Sequence, residues 1–180
     1  MSADPTRPTT IRDANEADLP AVQAIYAHHV LHGLGTFEEV PPPLEDITVR
    51  YGAIVAAGLP WLVAVIDGQI AGFAYAGPFR LRAAYRFTVE DSVYVGDGFA
   101  RRGVGRALLE ELIRRCEIGP WRQMLAVIGD SGNEGSLGLH RAFGFSCLGT
   151  MKSVGFKHGR WVDVVMMQRL LGEGDATLPA

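Results

Sequence analysis

Cysteine is scarce: Cys116 and Cys147 are the only two in 180 residues. They are too few and too far apart for a disulfide framework or a zinc site, so two reduced thiols are expected. Positive charge has no excess, with 17 Lys and Arg against 20 Asp and Glu and a net charge of -3. That excludes the broad basic surface on which nucleic acid or an anionic membrane would be the main partner. No run is long and apolar enough to span a bilayer, and the start MSADPTRPTT lacks the basic and apolar regions of a signal peptide, so the cytoplasm is the expected compartment. No internal repeat or linker divides the chain. With 48% hydrophobic and 21% charged residues, it reads as an ordinary globular domain over residues 10–171 between flexible tails at 1–9 and 172–180.

What is present is concentrated in Thr88–Leu108, TVEDSVYVGDGFARRGVGRAL. Its first eight residues read as a strand (Val89, Val93, Tyr94 and Val95), carrying two acids, Glu90 and Asp91, where a strand favours apolar or neutral residues. A glycine-rich turn follows, and then Ala107–Ile113 with its apolar residues on one helical face. Glycines ahead of a helix leave its first backbone N–H groups open. With the helix dipole and Arg101, Arg102 and Arg106, they form a site for a phosphate or pyrophosphate.

Along the rest of the chain, Thr10–Ala14 reads as a short strand. Asn15 or Asp18 caps a helix carrying Leu19, Val22, Ile25, Tyr26 and Val30 and ending near Gly33. His28, His29 and His32 lie at its end, but no carboxylate or cysteine joins them at ligand spacing, so cations at a helix C-terminus are expected and no metal. After Pro41–Pro43 a second helix places Leu44, Ile47, Tyr51, Ile54 and Val55 on one face. Trp61–Ile66 and Gln69–Ala76 form a hairpin about Asp67-Gly68, and the small residues Ala71, Gly72, Ala74 and Ala76 predict close approach to the sheet. The segment Phe79–Arg86 is either a solvated basic loop or a clamp for an anionic substrate group. A strand over Gln123–Ile128, a short helix behind Asn133, and a long hairpin, Ser146–Phe156 with Trp161–Leu170, complete a mixed α/β (α+β) domain with one sheet.

Among phosphate loops, a P-loop needs a Lys after its glycines, and a dinucleotide fingerprint needs a third small residue; neither stands here. The pattern R-x-x-G-x-A, Arg102 to Ala107, resembles the acetyl-CoA pyrophosphate loop of the GNAT superfamily of N-acetyltransferases. Three segments, Phe87–Val95, Asn133–Phe145 and Lys157–Asp163, together resemble the phosphinothricin and methionine-sulfoximine acetyltransferases, and the likeness extends from about Ile11 to Leu170. The resemblance implies the GNAT acyl-CoA N-acyltransferase fold, a central mixed, mostly antiparallel sheet flanked by helices, with acetyl-CoA as co-substrate. It implies that Val93, Tyr94 and Val95 pair with the pantetheine arm, that Arg101, Arg102, Gly103, Val104, Gly105 and Arg106 hold the pyrophosphate, and that Asn133 and Ser136 lie near the thioester end.

The acceptor is then the α-amino group of a small amino acid analogue such as phosphinothricin, methionine sulfoximine or methionine sulfone. Such an amine is mostly protonated at neutral pH, so a base is needed. Glu90 matches the family's acidic position, and Asp91 is the weaker candidate because it points to the opposite strand face. His140 stands where many relatives have a tyrosine; it either protonates the departing thiolate or hydrogen-bonds near the cofactor. Arg80 or Arg82 is expected to grip the substrate carboxylate, with Phe37, Tyr85 and Thr88 walling the pocket. The family resemblance also implies a homodimer, with Val162, Val164, Val165 and Met167 in either the core or the interface. Another amine acceptor (a protein N-terminus, a polyamine or an aminoglycoside) or a non-catalytic CoA-binding regulator are the alternatives. The basic loop at Arg80–Arg86 disfavours polycations.

Overall fold

A computed structural model describes residues 8–179, so most of the expected N-terminal tail lies outside the described residues. The chain runs β1 (Thr10–Asp13), α1 (Leu19–His32), α2 (Leu44–Ala56), β2 (Trp61–Ile66), β3 (Gln69–Pro78), β4 (Thr88–Val95), α3 (Val104–Ile118), β5 (Gln123–Gly129), α4 (Glu134–Ala142), β6 (Ser146–Lys157) and β7 (Arg160–Leu170). Asn15 caps a single 3-10 turn, Glu16–Asp18, that leads into α1, and Gly33 ends that helix, as the side chains require.

The seven strands form one sheet in the order β1-β2-β3-β4-β5-β7-β6. Every neighbouring pair is antiparallel except β4 with β5. The helices cover both faces, which explains why Trp61–Ile66 is apolar throughout: alternate residues point to opposite faces and both are buried. On one face α1 and α2 set Val22, Tyr26, Val30 and Ile47 against Trp61, Val63 and Phe73. On the other, α3 and α4 set Leu108, Leu112, Cys116 and Leu137 against Leu62, Ala74, Val89 and Ala126.

The small residues of β3 do mark a close approach. A Cβ at Gly72 would lie 2.7 Å from the Tyr94 carbonyl oxygen and 3.0 Å from Val104 Cγ1, so α3 settles onto bare backbone there. Two expectations change and one open choice is narrowed. Val55 sits one residue past Ile54, about 100° round the helix, and is exposed together with Leu44. Val162, Val164, Val165 and Met167 belong to the core, with Val165 and Met167 in the cluster under α3. Residues 172–179, read as a tail, form turns against the body, where the Arg122 guanidinium donates to the Gly174 and Leu178 carbonyls and to Thr177 Oγ1. Among the described residues no helix is long and apolar enough to cross a membrane.

Candidate active site

The ladder between β4 and β5 is short. It runs from Thr88↔Gln123 to Asp91↔Ala126 and stops there, while β4 continues to Val95 along β3 and β5 continues to Gly129 along β7. From Ser92 and Val127 onward the two strands diverge, and their facing edges present backbone groups without ladder partners. The N-termini of α3 and α4 and the turn after α1 close the gap into a cleft of about 880 Å³.

The two helix ends differ. Asn133 caps α4, its Oδ1 accepting from Ser136 N at 3.1 Å. No side chain caps α3. Its N-cap Gly103 is left-handed at φ 80°, and the first N–H groups of the helix face the cleft beside Gly105 and Arg106. A phosphate is the natural partner for an uncapped helix start carrying local positive charge. Arg101, also left-handed at φ 61°, lines the cleft with Arg106, whereas Arg102 turns away to lie over the Phe99 ring at 5.3 Å. Of the expected cofactor residues, Val93, Tyr94, Val95, Arg101, Gly103, Val104, Gly105, Arg106, Asn133 and Ser136 all line the cleft; Arg102 does not.

Successive strand residues face opposite ways, and the two acids divide accordingly. Glu90 is half-buried on the cleft wall and makes no hydrogen bond or ion pair among the described residues. Burial first, and then the charge of Asp91, push its carboxyl above the usual range, with Arg80 opposing. A carboxylate that is poorly solvated and unpartnered can accept a proton. Asp91 turns towards α4, where its Oδ2 lies 3.0 Å from His140 Nε2; its Oδ1 is buried without a partner.

His140 is spoken for at both ring nitrogens. Nδ1 lies 2.7 Å from the Ser136 carbonyl, which can only accept, so Nδ1 carries a hydrogen; Nε2 faces Asp91. Burial alone pulls the imidazole pKa down. The Asp91 hydrogen bond and charge, with the Ser136 carbonyl, reverse this, and the net shift is upward. Of the two roles open to it, this geometry leaves no free ring N–H to reach a departing thiolate.

Of the expected acceptor residues, Phe37 lines the cleft. Thr88 precedes Glu90 by two on the same strand face but does not line the cleft. Arg80, Arg82 and Tyr85 are not brought together with them. They lie in an exposed segment around a 3-10 turn, Ala83–Tyr85, where Arg80 stacks over Phe79 at 5.0 Å and Tyr85 meets the same ring edge-on at 5.6 Å. Beyond the end of β3 this segment has little besides Phe79 N to the Thr88 carbonyl to pin it inward.

Sequence reasoning passed over His29, Thr36 and Ala126–Gly129, which also line the cleft. Nε2 of His29 donates to the Val95 carbonyl at 2.8 Å, and burial, the main cause, lowers its pKa. One member of the expected pantetheine trio therefore already has a partner. The histidine triplet at the end of α1 held that signal, but strand β4 is far away in sequence. Among the described residues no group of three or more His, Cys, Asp or Glu side chains is arranged to hold a metal ion.

Residues 25–145 match the acetyltransferase (GNAT) family. The chain belongs to the GNAT acetyltransferase family. Its fold is the GNAT fold, and the chain is an N-acetyltransferase with acetyl-CoA as the donor. It is similar to a phosphinothricin N-acetyltransferase from Alcaligenes faecalis, 57% identical over 94% of this chain and 86% of the relative. An L-methionine sulfoximine/L-methionine sulfone acetyltransferase from Pseudomonas paraeruginosa is 41% identical over 88% of this chain and 92% of its own length. Among solved structures, a GNAT superfamily phosphinothricin acetyltransferase from Sinorhizobium meliloti in complex with AcCoA superposes with a TM-score of 0.93, at 48% identity, over 96% of this chain and 93% of that one.

The residues present fit a GNAT donor. The open α3 N-terminus with Arg101 and Arg106 would hold the pyrophosphate, and the unpaired β4 and β5 edges would offer hydrogen-bonding groups to the amides of the pantetheine arm.

Proposed function

We propose that this GNAT enzyme acetylates the α-amino group of a small amino acid whose side chain ends in a tetrahedral polar group, of the phosphinothricin, methionine sulfoximine or methionine sulfone kind. Glu90 carries the reading: it is an unpartnered, partly dry carboxylate on the cleft wall, two residues before the strands diverge at Ser92. Relatives at 57% and 41% identity with those activities support the choice of acceptor.

Acetyl-CoA supplies an activated acyl carbonyl. Glu90 takes the proton from the acceptor ammonium, directly or through a water, so that the neutral nitrogen can attack that carbonyl; the new C–N bond replaces the C–S bond, CoA leaves as its thiolate, and the thiolate takes up the proton that the nitrogen gives off as the amide forms. The Asp91–His140–Ser136 chain holds α4 against β4 and so keeps the wall of the cleft in place; in this reading His140 positions, and does not donate a proton. Arg80 or Arg82 closes on the acceptor's carboxylate from the exposed segment, and its charge already reaches Glu90 in the case of Arg80.

A thiol-release assay with acetyl-CoA tests this. Phosphinothricin, methionine sulfoximine or methionine sulfone is expected to exceed polyamines, aminoglycosides and N-terminal peptides by at least tenfold in kcat/KM. The double change Arg80→Ala/Arg82→Ala is expected to raise the acceptor KM by about tenfold or more, the worth of a charge-assisted hydrogen bond. Equal or better turnover of a polycation overturns the choice of acceptor.

We further read the chain as a homodimer. Strand β6 is one of the two edges of the sheet, and Leu148, Met151, Val154, Phe156 and Trp161 are exposed along it and its partner β7. A long apolar edge strand is otherwise a template for aggregation. Sedimentation at micromolar concentration is expected to give a dimer, and Val154→Asp with Phe156→Asp a monomer; a monomeric wild type removes this reading.

A further inference from the structure

The only buried ammonium of the described residues lies outside the donor cleft. Lys157, at the end of β6, is 1% exposed, and its Nζ donates to the Thr36 carbonyl at 2.8 Å. An ammonium is costly to bury, and Lys is seldom fully buried without a reason. Here the enclosed charge is offset by Glu39 and Glu38, which oppose the downward pull of burial on its pKa.

Thr36 is the centre of a strap, Thr36–Glu38, that is tied from three sides. From α1, Tyr26 Oη lies 2.9 Å from Thr36 Oγ1 and donates to Glu38 Oε1 at 3.0 Å. From α2, the Arg50 guanidinium holds both Glu38 oxygens, at 2.6 and 3.4 Å. From β6 comes Lys157. The same strand face two residues earlier is Gly155, and there a Cβ would collide with the Phe37 ring. Gly155 and Lys157 thus act as a pair at period two: one leaves room for the Phe37 ring, the other anchors the backbone beside it, while Val154 and Phe156 point outward. Phe37 itself lines the same cleft as Glu90.

We propose that Lys157, with Tyr26, Glu38 and Arg50, is a positioning residue that fixes the Thr36–Glu38 strap and thereby the Phe37 wall against which the acceptor amine is presented to Glu90. It acts on the acceptor side of the reaction and not at the pyrophosphate end, because Lys157, Glu38 and Arg50 touch neither α3 nor α4; Tyr26 alone reaches the diverging part of β4, where its ring meets Tyr94 edge-on at 5.1 Å. The proposal deepens the acceptor reading above and rests on it for the role of Glu90 as the base that receives the amine's proton.

The test pairs kinetics with amide hydrogen exchange. Lys157→Met keeps the length of the side chain and removes the buried charge. Tyr26→Phe removes one oxygen from the strap and leaves the ring against Tyr94, so it stands in if the first variant folds poorly. Exchange at the Phe37 and Glu38 amides is expected to quicken in both, with α3 unchanged. The acceptor KM should rise about tenfold for Lys157→Met and less for Tyr26→Phe, while the acetyl-CoA KM stays within about twofold. Unchanged exchange at the strap overturns the anchoring. Faster exchange with an unchanged acceptor KM, or with donor and acceptor KM rising together, overturns the acceptor-side role. A wild type that turns over none of the amines overturns the acceptor reading of the previous subsection and with it the catalytic half of this one; the exchange result decides the anchoring half by itself.

Discussion

Glu90→Gln is expected to lower kcat at neutral pH by about 10²–10⁴-fold, the usual contribution of a positioned general base. The change is nearly isosteric, and Glu90 makes no hydrogen bond or ion pair that the amide would break. Binding of acetyl-CoA should stay within about twofold, since the groups that would hold its pyrophosphate belong to the start of α3 and the turn before it. The stability sign runs the opposite way to the activity. The folded-state pKa of Glu90 is raised, chiefly by burial, so the folded chain holds its proton to a higher pH than the unfolded chain does. Folding stability therefore falls as pH rises from the unfolded carboxyl value through the raised folded one, and at neutral pH the buried carboxylate is a cost. Gln removes that cost, so the variant should melt no lower than wild type. In the wild type kcat/KM should climb with pH as Glu90 ionises, and that acid limb should vanish in the variant. Unchanged turnover, or a retained limb, would transfer the role to another group. A lower melting point alongside lost activity would make Glu90 structural.

His140→Leu is expected to be the most damaging single change to stability. The imidazole and Asp91 form a buried pair, with side chains 5% and 2% exposed and 3.0 Å between Nε2 and Oδ2. Asp91 Oδ1 already lacks a partner, so removing the ring leaves both carboxylate oxygens unsatisfied in the core under α4. Breaking one side of such a pair costs about 3–5 kcal/mol, and in a chain of this size about 2–4 °C of melting temperature per kcal/mol. The fall should be of the order of 6–20 °C. Because the folded pKa of His140 is raised, the contribution of the pair is full below the unfolded imidazole value of about 6.5 and is lost as pH rises through the higher folded value. Wild-type stability should therefore decline across that window, and the variant should lack this slope. Replacing Asp91 by Leu as well removes the stranded carboxylate and should recover part of the loss. Thermal melts at a series of pH values read all three outcomes. A single-variant midpoint within about two degrees of wild type would mean that Asp91 finds another partner.

Several features of the protein are written in short stretches of the chain. The glycines and arginines of Arg101–Arg106 sit directly ahead of an apolar helical face, and that local pattern makes an open helix start wherever the helix packs. The hairpin turns at Asp67-Gly68 and His158-Gly159 and the end of α3 before Gly119-Pro120 are likewise matters of turn chemistry. Alternation along β4 was enough to send Glu90 and Asp91 to opposite faces.

What the local pattern does not contain is where side chains from distant elements meet. Asp91 and His140 are 49 residues apart, Lys157 and Thr36 are 121 apart, and His29 reaches Val95 across 66. No periodicity announces such contacts, because each depends on sheet order and on where helices settle. The same holds for Arg80, Arg82 and Tyr85, whose residue types suit a clamp but whose segment lies exposed beyond the end of β3. By itself the sequence determined the element order, the uncapped helix start behind its arginines and the acid on the cleft wall, since these follow from neighbours a few residues apart. Only the tertiary structure decided that β4 and β5 part after Asp91 and Ala126, that His140 is bound at both nitrogens, and that Phe37 is held in place from three elements. Those are properties of a packed sheet, in which the partner that satisfies a buried polar group is chosen by space and not by position in the chain.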